Sequence, residues 1–247
     1  MEYSVLTVCL NSSSSIDRSI KSVLLQSKLP KEYIFVDGGS TDGTIEIIEN
    51  LIENERRTGS KIEFLLLHQA SKGGITEAWN IGIKHVNTDV LFILNSDDWY
   101  DQTTAETVLS TFDTNKNVEI VHGSSRVYSK DSSEVLKIRG PRPLCLLPIL
   151  MPVVHTACFV KKSVYDRIGL FDDSYKICAD YDFISRCFYN NVIFKRISVI
   201  LANFQLGGYG DTNRTISRYE TCEIAKKYHR SRFLPSLAFS LRRLLNR

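Results

Sequence analysis

Asp97 and Asp98 close the run Val90-Leu-Phe-Ile-Leu-Asn-Ser-Asp-Asp98, so an apolar strand carries two carboxylates to the edge of a sheet. Open α/β sheets bind their ligands at strand ends. Hard cations such as Mg2+ and Mn2+ take oxygen ligands shared between protein carboxylates and phosphates. The pair could therefore hold a diphosphate through a divalent cation. Two acids after a strand equally suit a solvated turn or the cap of the next helix.

Three further segments carry groups of the same kind. In Val36-Asp-Gly-Gly-Ser-Thr-Asp-Gly-Thr44, Asp37 sits at a strand end, where it could accept from an N–H of a base or from ribose hydroxyls. Glycines from Gly38 onward let a ligand come close to the backbone, and Ser40, Thr41 or Asp42 could cap the helix that follows. A plain strand-turn-helix fits the same residues, and neither G-x-x-x-x-G-K-[ST] nor G-x-G-x-x-G is present. In Lys72-Gly-Gly-Ile-Thr-Glu-Ala-Trp-Asn80-Ile-Gly82, a helix N-terminus and Lys72 share one edge, a setting that favours anions; a solvated lysine is the alternative. Ala78, Asn80 and Gly82 would let that helix lie close to the sheet. In Ile177-Cys-Ala-Asp180-Tyr-Asp182-Phe-Ile-Ser-Arg186, Asp180 falls in the first helical turn, where the helix dipole should keep it ionised. Such a carboxylate in a cleft can take the proton of an attacking hydroxyl; capping is the simpler role.

These residues need a scaffold that brings distant segments to one edge. Strand-like runs at 4–10, 33–36, 62–67 and 90–94 alternate with helix-like runs at 16–26, 44–54, 75–86 and 103–112. Repeated β-α units imply an α/β fold with a mostly parallel central sheet flanked by helices, and the short apolar strands fit burial on both faces. Beyond Val118 the pieces are shorter: a hairpin from 126–128 to 135–138, a Pro-rich connector at 140–152, a strand at 156–160, a helix from Ser163 to its glycine cap at Gly169, a helix at 180–189 and a strand at 194–204.

A chain of 247 residues with 43% hydrophobic content can bury a full core. Its net charge of +3 and the lack of a basic stripe interleaved with aromatics argue against a nucleic-acid partner. The cysteines at 9, 145, 158, 178, 187 and 222 form no C-x-x-C pair, which argues against thiolate metal sites. With no signal peptide at Met1-Glu-Tyr-Ser, a reducing cytoplasmic setting is expected. No apolar run approaches the roughly 20 residues of a membrane span.

Taken in order, the motifs resemble those of family 2 glycosyltransferases with the GT-A fold, of the kind that act in bacterial polysaccharide synthesis. The likeness runs from Ser4 to about Gly210. It includes Thr7-Val-Cys-Leu-Asn11, Ser19-Ile-Lys-Ser-Val-Leu-Leu-Gln26, the Asp37 and Lys72 segments, Asn95-Ser-Asp-Asp98, and His155 through Gly169-Leu-Phe-Asp172 to Asp182. The resemblance implies that Asp37 contacts the nucleotide base and that Val8 and Leu10 flank it. Gly38, Lys72, Asn80 and Asp97 join the nucleotide site. It further implies that Asp98 contacts Mg2+ or Mn2+ directly, with Asp97 on metal or ribose, and that Asp180 is the catalytic base, with Asp182 as fallback. His155, Gly207 and Gly208 would close over the donor or receive the acceptor. Two departures stand out: Asn95 replaces a common first Asp, removing one anionic ligand, and Leu10 replaces a residue that is often aromatic.

The resemblance implies metal-dependent, inverting transfer from a nucleotide sugar, UDP-linked by preference, to a hydroxyl of a saccharide or lipid-linked saccharide. Two other readings stay open: a degenerate domain that only binds sugar nucleotide or a partner, and a nucleotidyltransferase. Residues 1–229 read as one GT-A domain, with a nucleotide-binding half over about 1–115 and an acceptor-side half over 116–229. Residues 230–247 form a basic amphipathic tail carrying Arg230, Arg232, Arg242, Arg243 and Arg247 and no acid. That tail suits either a peripheral contact with the inner face of the plasma membrane or packing on the body.

Overall fold

The computed structural model describes residues 1–70, 73–131, 133–208, 212–228, 235–237 and 239–240. The alternating first half folds as β1 (Tyr3–Cys9), α1 (Ile16–Leu24), β2 (Glu32–Asp37), α2 (Thr44–Arg57), β3 (Glu63–His68), α3 (Gly74–Ile83) and β4 (Val90–Asn95). It continues through β5 (Trp99–Tyr100), α4 (Thr104–Thr114), β6 (Ile120–Tyr128), β7 (Val135–Arg139), β8 (Cys158–Lys161), α5 (Lys162–Ile168), α6 (Ala179–Tyr189), β9 (Phe194–Gln205) and α7 (Arg214–Tyr228).

All described strands join one nine-stranded sheet in the order β3-β2-β1-β4-β8-β6-β9-β5, with β7 paired to β6. Strands β3, β2, β1 and β4 run parallel. Beyond β4 the sheet is mixed: β8 is antiparallel to β4 and β6, while β9 is parallel to β6. The α/β architecture with a central sheet flanked by helices is the one expected from the sequence.

Successive residues of a strand face opposite sides of a sheet. Leu6, Val8, Ile34 and Val36 accordingly pack against α3, α5 and α6 on one side, and Tyr3, Val5, Tyr33 and Phe35 pack against α1, α2 and α4 on the other. This two-sided burial holds for β1, β2 and β4. Strand β3 forms the sheet edge and is only partly covered, with Glu63 and His68 exposed. Gly82 brings α3 onto β1: a Cβ there would lie 2.2 Å from Leu6 Cδ1.

The hairpin read from the sequence is β6–β7, with Arg126 opposite Ile138. Gly169 ends α5 at φ 91°, a conformation open to glycine. The two-residue β5 and the helix α7 carry no clear sequence signal; each is fixed by what it packs against. No helix among the described residues is long and apolar enough to cross a membrane.

Candidate active site

Strands β1 and β2 end side by side, with Cys9 in register with Asp37. Asp37 is fully buried. Its Oδ2 accepts the N–H of Gly39 at 2.7 Å and of Ser40 at 2.9 Å, and Cys9 Sγ donates to its Oδ1 at 3.6 Å. Asp37 is therefore the internal brace of the glycine turn, where Gly39 takes φ 96°. Strand alternation turns the Val8 side chain into the core at 5% exposure, which leaves its backbone as the part that can face a ligand at this edge. Leu10, at 58% exposure, is the apolar side chain that this edge presents. Gly38 lies beneath it, its N–H donating to the Cys9 carbonyl at 2.9 Å.

The end of β4 carries the acidic pair in a tight turn, Asp98 N–H to Asn95 carbonyl at 3.1 Å. Asp98 is completely buried, and its Oδ1 accepts the Gln205 N–H at 3.1 Å. Burial and then the neighbouring Asp97 hold its carboxyl well above the usual range. Asp97 is half-buried, and a Cβ on Gly208 would come within 3.4 Å of its Oδ2. Of the two acids, Asp97 is thus the more exposed. Asp97 is the accessible carboxylate, and Asp98 lies behind it because β9 closes over its side chain.

Arg18 on α1 completes this corner. Its Nη2 donates to the Asp97 carbonyl at 3.1 Å and to Gln205 Oε1, and its guanidinium lies 3.6 Å from the centroid of the Trp99 ring. Burial lowers its pKa, while Asp98 and Asp97 act in the opposite direction. One cation therefore stands behind two acids and ties α1, β5 and β9 together.

The chemistry of the donor set fits Mg2+ or Mn2+. Asp98 Oδ2 and Asn95 Oδ1 are buried oxygens without a hydrogen-bond partner among the described residues, and both are hard ligands like the Asp97 carboxylate. No group of three or more His, Cys, Asp or Glu side chains that could hold a metal ion occurs among the described residues. Substrate phosphates and water would have to complete the coordination shell.

Asp180 reaches the same edge from the other half of the chain. Because β8 runs antiparallel to β4, with Phe159 opposite Phe92, the segment before β8 returns to the C-terminal end of β4. That segment carries His155, which shares a small pocket with Ile93, Cys158, Tyr165, Phe171 and Asp180. The His155 ring lies 4.8 Å from Trp79 between centroids. Its Nε2 and Trp79 Nε1 are both buried without a hydrogen-bond partner among the described residues.

Asp180 Oδ1 accepts the N–H of Tyr181 at 2.7 Å. The dipole effect expected at this helix start is outweighed. Burial raises the Asp180 pKa, and His155, the backbone amides and Arg139 only partly offset it. The position of the carboxylate is set from α7, where Glu220 accepts the N–H groups of Lys176 at 2.8 Å, Ile177 at 3.0 Å and Cys178 at 2.9 Å.

The expectation for Asp182 is corrected. Asp182 is completely buried and engaged by Arg186 Nε at 2.8 Å, Lys227 Nζ at 3.0 Å and the Tyr228 hydroxyl at 2.8 Å. Residues two apart do not share a helix face, so Asp182 joins α6 to α7 and is no substitute for Asp180. Asn80 uses both ends of its amide on Phe171, donating to the carbonyl at 2.9 Å and accepting the N–H at 3.0 Å. It braces α3 against the chain after α5. Lys72 lies outside the described residues, as does most of the basic tail. Gly207, at φ 107°, lies against Lys130, and Gly208 lies against Asp97. Arg18, Gln205 and Glu220 were not foreseen, since their partners are contributed by segments far away in the chain.

Residues 4–169 match the family described as Glycosyl transferase family 2. A PGL/p-HBAD biosynthesis glycosyltransferase of Mycobacterium bovis is 26% identical over 213 residues, 85% of this chain and 79% of that protein. Among solved structures, S. aureus TarS 1–349 in complex with UDP-GlcNAc aligns at a TM-score of 0.68 and 16% identity, covering 97% of this chain and 70% of that one. The mannosyltransferase PcManGT from Pyrobaculum calidifontis, in complex with GDP-Man and Mn2+, aligns at a TM-score of 0.70 and 15% identity, covering 97% and 68%.

Proposed function

The chain belongs to glycosyl transferase family 2, and from that premise we propose that it moves a sugar from a nucleoside-diphosphate sugar to a hydroxyl of a saccharide or lipid-linked saccharide, with inversion and with help from Mg2+ or Mn2+. The observation that carries this reading is the meeting of Asp180 with the end of β4, where Ile93 lines its pocket two residues before Asn95. A carboxylate that could accept a proton and oxygens that could anchor a diphosphate through a cation would thereby share one sheet edge. UDP is the favoured carrier and cell-surface polysaccharide synthesis the favoured setting. The setting is supported by the name of one relative, a poly-beta-1,6-N-acetyl-D-glucosamine synthase of Staphylococcus aureus, whereas the solved neighbours divide on the carrier, one holding UDP-GlcNAc and one GDP-Man.

Asp97 would hold the cation, with Asp98 Oδ2 and Asn95 Oδ1 as the oxygens behind it. When bound, the cation would offset the charge that grows on the departing nucleoside diphosphate. Gly208, with no side chain of its own beside Asp97, would leave room there for the diphosphate. Leu10 would offer apolar contact to the base, and the Asp37 turn would shape the wall beside it. Asp180 would take the proton of the acceptor hydroxyl as that oxygen attacks the anomeric carbon from the face opposite the leaving group. A raised pKa makes its carboxylate a stronger base than an ordinary aspartate. Arg18 and Glu220 hold the two halves of this arrangement in place, and such positioning supplies much of the rate of a two-substrate reaction.

A thermal-shift screen of nucleoside diphosphates and their sugars, with and without Mn2+, tests the reading, because a ligand of the native state raises apparent stability. A nucleotide sugar should raise the midpoint, and more so with Mn2+. No shift from any nucleotide sugar in either condition would remove the proposal.

A further inference from the structure

We infer that Gln69 reads the nucleotide base, its side-chain carbonyl accepting the ring N–H of uracil or guanine in a slot between Leu10 and Gln69 over Gly38. This rests on the nucleotide-sugar reading above and adds the group that selects the carrier. The slot follows from strand register. Strands β1, β2 and β3 end together, Cys9 in register with Asp37 and Asp37 with His68, so Leu10, Gly38 and Gln69 are the first residues past adjacent strand ends. The Gly38 N–H donates to the Cys9 carbonyl at 2.9 Å, and the Gln69 N–H to the Asp37 carbonyl at 2.8 Å. A Cβ on Gly38 would stand 3.4 Å from Gln69 Oε1 and 3.5 Å from Leu10 Cβ. Both are van der Waals distances, so the glycine leaves a gap one carbon thick, the thickness of a flat ring, between an apolar side chain and an amide oxygen.

The orientation of that amide is fixed by its other neighbours. Gln69 Nε2 donates to the Gly74 carbonyl at 3.1 Å and to Glu77 Oε2 at 2.5 Å. A carbonyl and a carboxylate are both acceptors, so the amide N–H2 must face them and Oε1 must face Gly38. Oε1 accepts no hydrogen bond from the described residues. Asp37, the acid at the same edge, is fully buried, and its oxygens are taken by Gly39, Ser40 and Cys9. The side-chain acceptor left to face a base in the slot is therefore Gln69, which is half-exposed.

The direction of the amide decides which bases it takes. Adenine and cytosine present an amino donor next to a ring-nitrogen acceptor, a pair that an amide satisfies only with both of its ends. Gln69 has its donor end turned to Glu77 and Gly74. Uracil and guanine carry a ring N–H instead, which a carbonyl oxygen satisfies alone. Glu77 is the positioning residue here, acting on the base through the amide that it turns.

Calorimetric titration of the full chain with UDP, GDP, CDP, ADP and inorganic pyrophosphate, each with Mn2+, tests this. The wild type should bind the better of UDP and GDP about tenfold tighter than CDP or ADP. Gln69→Leu keeps an apolar wall but removes the acceptor, and should lose most of that preference while binding pyrophosphate as the wild type does. Glu77→Gln frees the Gln69 amide to turn, because a second amide can donate to Oε1, and should bring CDP to within about threefold of the better of UDP and GDP. Thermal melting checks that both variants fold. The inference is overturned if the wild type binds CDP or ADP as tightly as UDP and GDP, or if either folded variant keeps the wild-type preference. It is equally overturned if Gln69→Leu weakens UDP and pyrophosphate together. Each of these results leaves the sugar-transfer reading standing, whereas failure of every nucleoside diphosphate to bind removes both.

Discussion

Glu220 on α7 accepts the backbone N–H of Cys178 at 2.9 Å, two residues ahead of Asp180. The same carboxylate takes the N–H groups of Lys176 and Ile177, so one buried acid fills the concavity that leads into α6. Charge-assisted bonds of this kind are each worth about 1.5–3 kcal/mol. Glu220→Gln keeps the shape but puts an N–H2 where an acceptor stood. It should destabilise the protein by about 2 kcal/mol and lower kcat, with little change in the KM for the donor. Chemical denaturation and steady-state kinetics on one preparation check both effects.

Asp182 should behave in the opposite way to a base. It is the buried partner of Arg186, Lys227 and Tyr228, and removing one member of a buried ion pair costs about 3–5 kcal/mol. Lys227 is 46% exposed and Arg186 keeps bonds to the carbonyls of Ile168 and Leu170, so about 2–3 kcal/mol is expected for Asp182→Asn. Its turnover, measured well below its midpoint temperature, should stay within about tenfold of wild type, since the side chain touches nothing at the sheet edge.

Asp98 gives a pH dependence of stability. Its folded pKa is raised, first by burial, whereas the unfolded chain ionises near the ordinary 3.8. Above that value the unfolded state releases a proton that the folded state retains. Stability is therefore lost as pH rises from the unfolded toward the folded pKa. Asp98→Asn is free of this effect and should gain on wild type as pH rises across that interval. Melting both proteins at pH 5 and pH 8 without added metal measures the difference.

Much of this site is written in short segments. The β-α alternation, the two-sided burial of β1, β2 and β4, and the place of Asp180 in the first turn of α6 all follow from local pattern. Gly82 likewise does what a small residue on a sheet-facing helix should. What could not be read locally depends on closure over distance. Asp98 is buried because β9 returns 107 residues later to bond it. Arg18 looks like a solvated position of an amphipathic helix until Trp99 and Gln205 cover it. Asp182 and Asp180 are indistinguishable by type, and only α7 shows which of them is enclosed.

The raised pKa of Asp180 also shapes the rate profile. Only the ionised carboxylate can accept a proton, so kcat/KM should fall as pH drops through the folded pKa. Burial lifts that pKa above the ordinary 3.8, so the acid limb should lie above the range of an exposed aspartate. Removing the offsetting cation with Arg139→Gln should move the limb to still higher pH. Initial rates between pH 4 and pH 8 at saturating metal locate it.

The account rests most directly on Asp180 as the group that accepts the acceptor's proton. Asp180→Asn should still show the thermal shift of the nucleotide sugar found by screening, while losing transfer by about 10²–10⁴-fold. Parallel measurement of binding and turnover on this one variant gives the test. Retained binding with lost turnover is the result expected, and turnover near wild type would contradict the account.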